Sequence, residues 1–88
     1  MTVHLLITGK VQGVFYRAAA KDVAEQLNLT GWIRNTKDGD VESLVTGEED
    51  QIKEFIEWCK KGPGRAKVDK VTVTEKEQEQ FENFKIVK

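Results

Sequence analysis

Two stretches of this chain repeat apolar residues with the period of an α-helix, and they limit the folds open to it. The first extends from about Arg17 to Leu29, and the second opens at Gly47 and ends at Gly62. In both stretches apolar side chains recur at positions i, i+3, i+4 and i+7, which predicts an amphipathic helix with one buried stripe. The two stripes consist of Ala20, Val23, Ala24 and Leu27, and of Ile52, Phe55, Ile56 and Cys59.

Shorter runs that are typical of β-strands lie on either side of the two helical repeats. They cover residues 3–8, 30–36, 40–46, 68–74 and 84–87. The dipeptide Asp38-Gly39 separates the second run from the third and favours a tight hairpin turn, because both residues tolerate a positive φ. We therefore expect these two strands to be antiparallel neighbours.

The predicted elements follow one another in the order β-α-β-β-α-β, with a short strand added at the end. This is the order of the split βαβ, ferredoxin-like arrangement. We predict an α+β sandwich in which an antiparallel sheet carries both helices on one face and a short extra strand follows at the C-terminus. A chain of 88 residues can bury one hydrophobic core, so we expect a single domain, residues 1–88.

Charge and cysteine content exclude several classes of protein. The chain has 14 Lys plus Arg against 15 Asp plus Glu, so it has no strong positive field and we expect no nucleic-acid partner. Cys59 is the single cysteine and cannot form a disulfide within the chain, which is typical of a cytoplasmic protein. The apolar run at residues 3–7 is too short for a signal peptide or a membrane span, so we expect no membrane partner.

The segment that joins the first strand to the first helix has the features of an anion site. It reads Gly9-Lys10-Val11-Gln12-Gly13-Val14-Phe15-Tyr16-Arg17. Glycine lets the backbone approach a ligand closely, and the first N–H groups of a helix lack intrahelical partners. These groups and the arginine suit a phosphate. The segment lacks the signatures of a Walker loop and of a dinucleotide loop, and a plain strand-to-helix connection stays possible.

A second polar cluster ends one of the predicted strands. It reads Gly31-Trp32-Ile33-Arg34-Asn35-Thr36-Lys37-Asp38-Gly39-Asp40-Val41 and has an asparagine just before the hairpin. Together, the patterns G-x-V-Q-G-V-x-Y-R and G-W-I-x-N-x-x-D-G-x-V resemble the acylphosphatases, small ferredoxin-like enzymes that hydrolyse the carboxyl–phosphate bond of acyl phosphates. The resemblance covers essentially the whole chain. One departure is Gly64, where the family usually has a second proline, and glycine makes that loop more flexible.

The resemblance implies roles for particular residues of the two patterns. Arg17 would bind the phosphoryl group, and Asn35 would orient the attacking water. Backbone N–H groups of the loop would complete the phosphate cradle, while Val14 and Phe15 would hold the loop against the core. The side chain of Tyr16 has two possible placements, along the loop or in the core. The substrate-binding residues implied in this way are Gln12, Gly13, Val14, Phe15 and Tyr16.

The chemistry of an acyl phosphate is compatible with a site made of one arginine, one asparagine and backbone N–H groups. Its leaving group is a resonance-stabilised carboxylate, so hydrolysis needs no metal and no covalent nucleophile once the phosphoryl oxygens are neutralised and a water is held in line. We therefore expect no metal and no other cofactor. We also expect a small-molecule acyl phosphate as the substrate and a monomeric protein.

Two interpretations without catalysis stay open. RNA-recognition domains share the β-α-β-β-α-β order, but they stack bases on aromatic side chains of the central strands, and residues 41–46 include no aromatic residue. The chain could also keep a phosphate pocket for a regulatory or carrier role.

Most other conspicuous side chains have structural interpretations. We expect Trp32 and Trp58 to pack against neighbours and Cys59 to be a buried thiol. His4 is expected on the surface or on the open face of the first strand. Arg34 precedes Asn35 directly, so it should point to the opposite face of the strand, and we leave it out of the site.

Overall fold

In the computed structural model, which describes residues 1–88, two α-helices pack on one five-stranded sheet. All the predicted helices and strands are present, and the ferredoxin-like α+β fold is confirmed. Neither helix is long and apolar enough to cross a membrane. The elements are β1 Thr2–Lys10, α1 Tyr16–Gln26, β2 Thr30–Asn35, β3 Val41–Thr46, α2 Glu49–Lys61, β4 Lys67–Lys76 and β5 Phe84–Ile86.

The strands lie in the order β4-β1-β3-β2-β5. The first four strands pair in antiparallel fashion, as the sequence predicts. The short last strand, in contrast, runs parallel to β2, with Phe84 opposite Gly31 and Ile86 opposite Ile33. The sheet is therefore mixed, and its parallel edge brings the end of the chain close to the end of β2.

The hairpin between β2 and β3 forms as expected, but its turn is wider than Asp38-Gly39 alone predicts. Of the two residues Asp38 and Gly39, only Gly39 has a positive φ, which is 92°. The loop is closed by a hydrogen bond from Thr36 N to Asp40 O at 2.8 Å. The hydroxyl of Thr36 also accepts a hydrogen bond from Asp40 N at 3.0 Å, and this contact stabilises the wider loop.

The core lies between the helices and one face of the sheet. On β1 the residues Val3, Leu5 and Ile7 are buried, as their alternation predicts, and both helical stripes pack on this face. The first helix ends at Gln26, before the predicted Leu29, because Asn28 adopts a left-handed φ of 58° that turns the chain toward β2. The buried apolar residues are Val3, Leu5, Ile7, Val11, Val14, Tyr16, Ala20, Ala24, Leu29, Ile33, Val41, Val45, Ile52, Phe55, Cys59 and Phe84.

Tyr16 fills the core at the start of α1. Its hydroxyl donates a hydrogen bond of 2.7 Å to the carbonyl oxygen of Cys59 on α2. Its ring lies 5.4 Å from the ring of Trp58, which also stacks on Phe55. These contacts fix the beginning of α1, and with it the preceding loop, against the second helix.

Gly31 allows β2 to lie against β3, and replacing it tests this close approach. A Cβ atom there would lie 1.9 Å from the carbonyl oxygen of Leu44, and the φ of Gly31 is 138°. We expect Gly31→Ala to lower the free energy of unfolding by about 3 kcal/mol or more, since strain and a backbone clash combine. The matched control is Gly64→Ala, because a Cβ atom added at Gly64 would have no neighbouring atom within 4 Å. That variant should be neutral or gain about 0.4–1 kcal/mol. Equal urea midpoints for the two variants would contradict this explanation.

Candidate active site

The loop between β1 and α1 leaves a row of backbone donors without partners. None of the N–H groups of residues 12–17 donates a hydrogen bond to another group of the protein. Two residues of this loop have a left-handed backbone, Gly13 with a φ of 74° and Phe15 with a φ of 62°. Consecutive unpaired N–H groups in such a turn form a concave site that suits an anion.

The electrostatics of the two helix N-termini differ. The first turn of α2 contains Glu49 and Asp50, and its last turn contains Lys60 and Lys61, so its dipole is compensated at both ends. The first turn of α1 has no acidic residue, and no side chain caps it. It contains Arg17 instead, a cation at the positive end of the dipole. The positive charge at this end of α1 thus lacks a protein anion to balance it.

Arg17 and Asn35 line the same pocket. The pocket has a volume of about 420 Å³ and lies between the loop, the first turn of α1 and the ends of β2 and β5. Arg17 is the only charged residue in its wall. Both residues are half-buried. The structure thus brings together the two residues that the sequence patterns single out.

Asn35 reaches this pocket because of its register on β2. It lies opposite Val41 and shares a face with Ile33, and both of these residues are buried under the helices. Its Oδ1 atom is fully buried and has no hydrogen-bond partner in the protein. Buried acceptors are normally paired. The acceptor of Asn35 is thus left unpaired by the protein in a residue that lines the pocket.

The side chain of Gln12 ties the loop to the hairpin. Its Nε2 atom donates one hydrogen bond to the carbonyl oxygen of Thr36 at 2.9 Å and a second to that of Asp40 at 2.8 Å. Both donors of the amide are therefore used within the protein, and the backbone N–H is the only donor of Gln12 left for a ligand. The link joins the loop that precedes Arg17 to the residue that follows Asn35.

Of the remaining loop residues, Val14 and Tyr16 are buried and Phe15 is exposed. Val14 is buried and holds the loop to the core, as expected. The same expectation for Phe15 is wrong, because its side chain is 78% exposed. The left-handed backbone at this position turns the ring outward between the buried side chains of Val14 and Tyr16, and the ring lines the pocket. Tyr16 takes its core placement, and burial raises the pKa of its hydroxyl far above the ordinary value.

Sequence reasoning missed three residues of the pocket wall, Val11, Ala18 and Ile86. Ile86 belongs to β5 and is 41% exposed. It reaches the site only because β5 adds to β2 in parallel, and no local pattern in the sequence indicates that pairing. Val11 stands inside the first motif and Ala18 directly follows it, and membership of or proximity to the motif was the only available signal.

Arg34, the charged residue next to Asn35 in sequence, belongs to the opposite face of the sheet, with Glu42 and His4. Arg34 binds the carboxylate of Glu42, and its guanidinium lies 5.4 Å from the centre of the Trp32 ring. His4 also contacts Glu42, at 2.7 Å. The hydrogen bond with His4, and then the contact with Arg34, lower the pKa of Glu42 below its ordinary value. The prediction that Arg34 points away from Asn35 is thus confirmed.

The single thiol does not belong to the wall of the pocket. Cys59 is fully buried on α2, and burial raises the pKa of its thiol to about 12. A protonated, buried thiol is inert, as the sequence predicts. No group of three or more His, Cys, Asp or Glu side chains is placed so that it could hold a metal ion.

The fold and the pocket define a class of protein, a small α+β sandwich with a candidate anion site at its first strand-to-helix junction. A family model described as Acylphosphatase matches residues 3–86. The chain belongs to the acylphosphatase family.

Individual relatives agree with this assignment. A protein named Acylphosphatase from Marinobacter nauticus is 54% identical over 72 residues, which are 82% of this chain and 78% of that protein. The structure of an acylphosphatase from Coxiella burnetii superposes with a TM-score of 0.95 at 41% identity, over 98% of this chain and 90% of the other. An acylphosphatase from Bacillus subtilis gives a TM-score of 0.95 at 34% identity, over 99% and 98%.

Proposed function

We propose that this protein hydrolyses the carboxyl–phosphate bond of acyl phosphates by direct attack of water on phosphorus, without a metal ion. Its membership of the acylphosphatase family assigns it to the hydrolases that act on acyl phosphates. The observation that carries the proposed mechanism is the pocket itself. There an unpaired cation, Arg17, and an unpaired buried acceptor, Asn35 Oδ1, lie beside backbone donors that have no protein partner.

The phosphoryl group binds to the backbone N–H groups of residues 12–16 and to the guanidinium of Arg17. An arginine offers two parallel donors to the oxygens of a phosphoryl group, and charge-assisted bonds of this kind are about twice as strong as neutral ones. The partly positive N-terminus of α1 adds to this attraction. Support comes from the first turn of α1, which has no acidic residue that would compete for these groups.

Asn35 positions the attacking water. Its Oδ1 accepts a hydrogen bond from the water, so that a lone pair of the water oxygen points at phosphorus. The O–P bond then forms as the bond from phosphorus to the acyl oxygen breaks, and the carboxylate leaves. An amide is neutral and cannot act as a general base, so the proton of the water passes to a phosphoryl oxygen.

Independence from a metal and from a covalent nucleophile follows from the leaving group and from the residues at hand. A carboxylate leaves readily, and the positive charge that a metal would supply comes from Arg17 and the backbone donors. The only cysteine and the only histidine lie outside the pocket. Cys59 is buried with a raised pKa, and His4 pairs with Glu42 on the other face of the sheet.

The test is hydrolysis of benzoyl phosphate in water enriched in oxygen-18, with and without EDTA. We expect equal rates in both conditions and one heavy oxygen in the phosphate, because the attack is at phosphorus. Label in benzoate would place the attack at the carbonyl carbon, and a loss of rate with EDTA would end the metal-free mechanism. One chain supplies every group named, so we also propose a monomer, whose activity per chain is independent of protein concentration.

A variant of Gln12 tests the link between the loop and the hairpin. Gln12→Met keeps the length of the side chain and removes both hydrogen bonds to the carbonyl oxygens of Thr36 and Asp40. We expect kcat/KM for benzoyl phosphate to fall about 10- to 100-fold, because a small misplacement of positioning groups is costly. The matched control is Gln51→Met on α2, which should keep full activity. Wild-type kinetics in Gln12→Met would show that the link has no part in positioning.

A further inference from the structure

The pocket has a large exposed apolar surface that neither the cradle nor Asn35 uses. The large apolar side chains exposed in this protein are Met1, Phe15, Val73 and Ile86, and two of them, Phe15 and Ile86, line this pocket. Single exposed apolar residues are common, but their convergence on one concave site beside a few polar groups is typical of a ligand site.

The exposure of Phe15 is held in place by the backbone. A left-handed φ is unusual for a bulky aromatic residue and costs free energy. The buried neighbours Val14 and Tyr16 fix the chain on both sides, so the ring of Phe15 stays at the surface, against the pocket. Ile86, which also lines the pocket, is held by the parallel pairing of β5 with β2. The backbone of both residues is therefore held in position, by buried neighbours at Phe15 and by strand pairing at Ile86.

The pocket combines two kinds of group, polar and apolar. Arg17 and Asn35 supply its polar side chains and the loop supplies backbone donors, while the other side chains of the wall are apolar or aromatic, from Val11, Phe15, Tyr16, Ala18 and Ile86. An acyl phosphate has the same division, since its phosphoryl end is charged and its acyl end can be apolar. We propose that Phe15 and Ile86 form an acyl subsite, so that the enzyme prefers acyl phosphates with an aromatic or other large apolar acyl group. This inference rests on the proposed function.

The opposite preference, for an anionic acyl group, has weaker support. A second depression of about 330 Å³ lies on the other side of Asn35 and is lined by Arg34, Lys37 and Lys88. Its wall also contains Glu42, which already binds Arg34. The two lysines are exposed, and exposed charges act weakly on a ligand in water.

Binding of stable analogues separates these preferences without any turnover. In phosphonomethyl ketones a CH₂ group replaces the bridging oxygen of the acyl phosphate, so nothing can be hydrolysed. We expect calorimetry to give at least about tenfold tighter binding for phenacylphosphonate than for acetonylphosphonate, as expected for added apolar contact in a pocket. The analogue with a succinyl end should bind less tightly than the phenacyl compound. Equal affinities for the first two compounds, or tightest binding of the succinyl analogue, would overturn the inference.

Two variants assign the preference to its residues. Phe15→Asn removes the ring and tolerates the left-handed backbone, and Ile86→Thr keeps a β-branched residue on β5. Each should reduce the ratio of phenacyl to acetonyl affinity by about threefold or more, since each removes part of the apolar contact. Val73→Thr is the matched control, because Val73 is 44% exposed on β4 at the opposite edge of the sheet. It should leave the ratio unchanged, and a ratio unchanged in all three variants would remove Phe15 and Ile86 from the subsite.

Failure of this inference is distinct from failure of the proposed function. If the wild type hydrolyses benzoyl and acetyl phosphate with equal kcat/KM and binds both phosphonates equally, the acyl subsite is wrong and the hydrolysis stands. If neither acyl phosphate is hydrolysed, the proposed function fails, and the phosphonate affinities still measure the apolar preference of the pocket.

Discussion

Arg17→Ala is expected to lower kcat/KM for benzoyl phosphate about 10³-fold. Arg17 is the only charged residue in the wall of the pocket, so no neighbouring cation can replace it. Negative charge on the phosphoryl oxygens and on the leaving carboxylate must be balanced throughout the reaction. Loss of a single donor in a comparable site costs about 10²–10³ in rate, and loss of an arginine at a phosphoryl group costs about 10³ or more.

The folded state should be almost unaffected by this change. Arg17 takes part in none of the ion pairs of the protein, and it stands at the helix end where a positive charge is unfavourable. We therefore expect the Tm of Arg17→Ala to equal that of the wild type or to rise slightly. Arg17→Lys should recover part of the activity, since it restores the charge without the paired donors. Arg65→Ala is the control for loss of an exposed arginine, and it should keep full activity.

Either of two results would contradict this role directly. If Arg17→Ala kept more than a tenth of the wild-type kcat/KM, or if inorganic phosphate inhibited the variant and the wild type equally, the guanidinium would not bind the phosphoryl group.

The sequence predicts most of the fold because most elements have one buried face. The alternation on β1 and the helical stripe of α2 both mark residues that pack in the core, such as Leu5 and Phe55. The parallel pairing of β5 has no such signal. A strand of three residues at the edge of the sheet carries too little pattern to fix its direction, and its position depends on Phe84 packing against Phe55.

The two polar side chains of the pocket wall were singled out from the sequence, as were Phe15 and Tyr16, whereas Val11, Ala18 and Ile86 were missed. Arg17 and Asn35 stand out in the sequence because polar residues at a helix start and a strand end are conspicuous beside glycines. Their joint presence in one pocket follows from the topology. Phe15 was misplaced because an aromatic residue in a motif is expected to pack inward, and a left-handed φ at a residue other than glycine cannot be inferred from local sequence.

Asn35→Ala is expected to lower kcat for benzoyl phosphate about 10²- to 10³-fold while KM changes little. The amide of Asn35 acts on the water rather than on the phosphoryl group, so binding of the substrate to Arg17 and the backbone donors survives. Inhibition by inorganic phosphate should therefore be similar in the variant and the wild type. The size of the effect is that of removing one positioned hydrogen-bonding group from a hydrolytic site.

The stability of Asn35→Ala separates a functional amide from a structural one. Because Oδ1 of Asn35 has no hydrogen-bond partner in the protein, its removal breaks no internal bond. The Tm should stay within about 3 °C of the wild type, which corresponds to about 0.5 kcal/mol in a chain of this size. Asn83→Ala is the matched control at an exposed asparagine outside this pocket, and it should change neither kcat nor Tm. A large fall in Tm in Asn35→Ala, or a rise in KM that accounts for the whole loss of kcat/KM, would mean that Asn35 supports the fold or binds the phosphoryl group instead of orienting water.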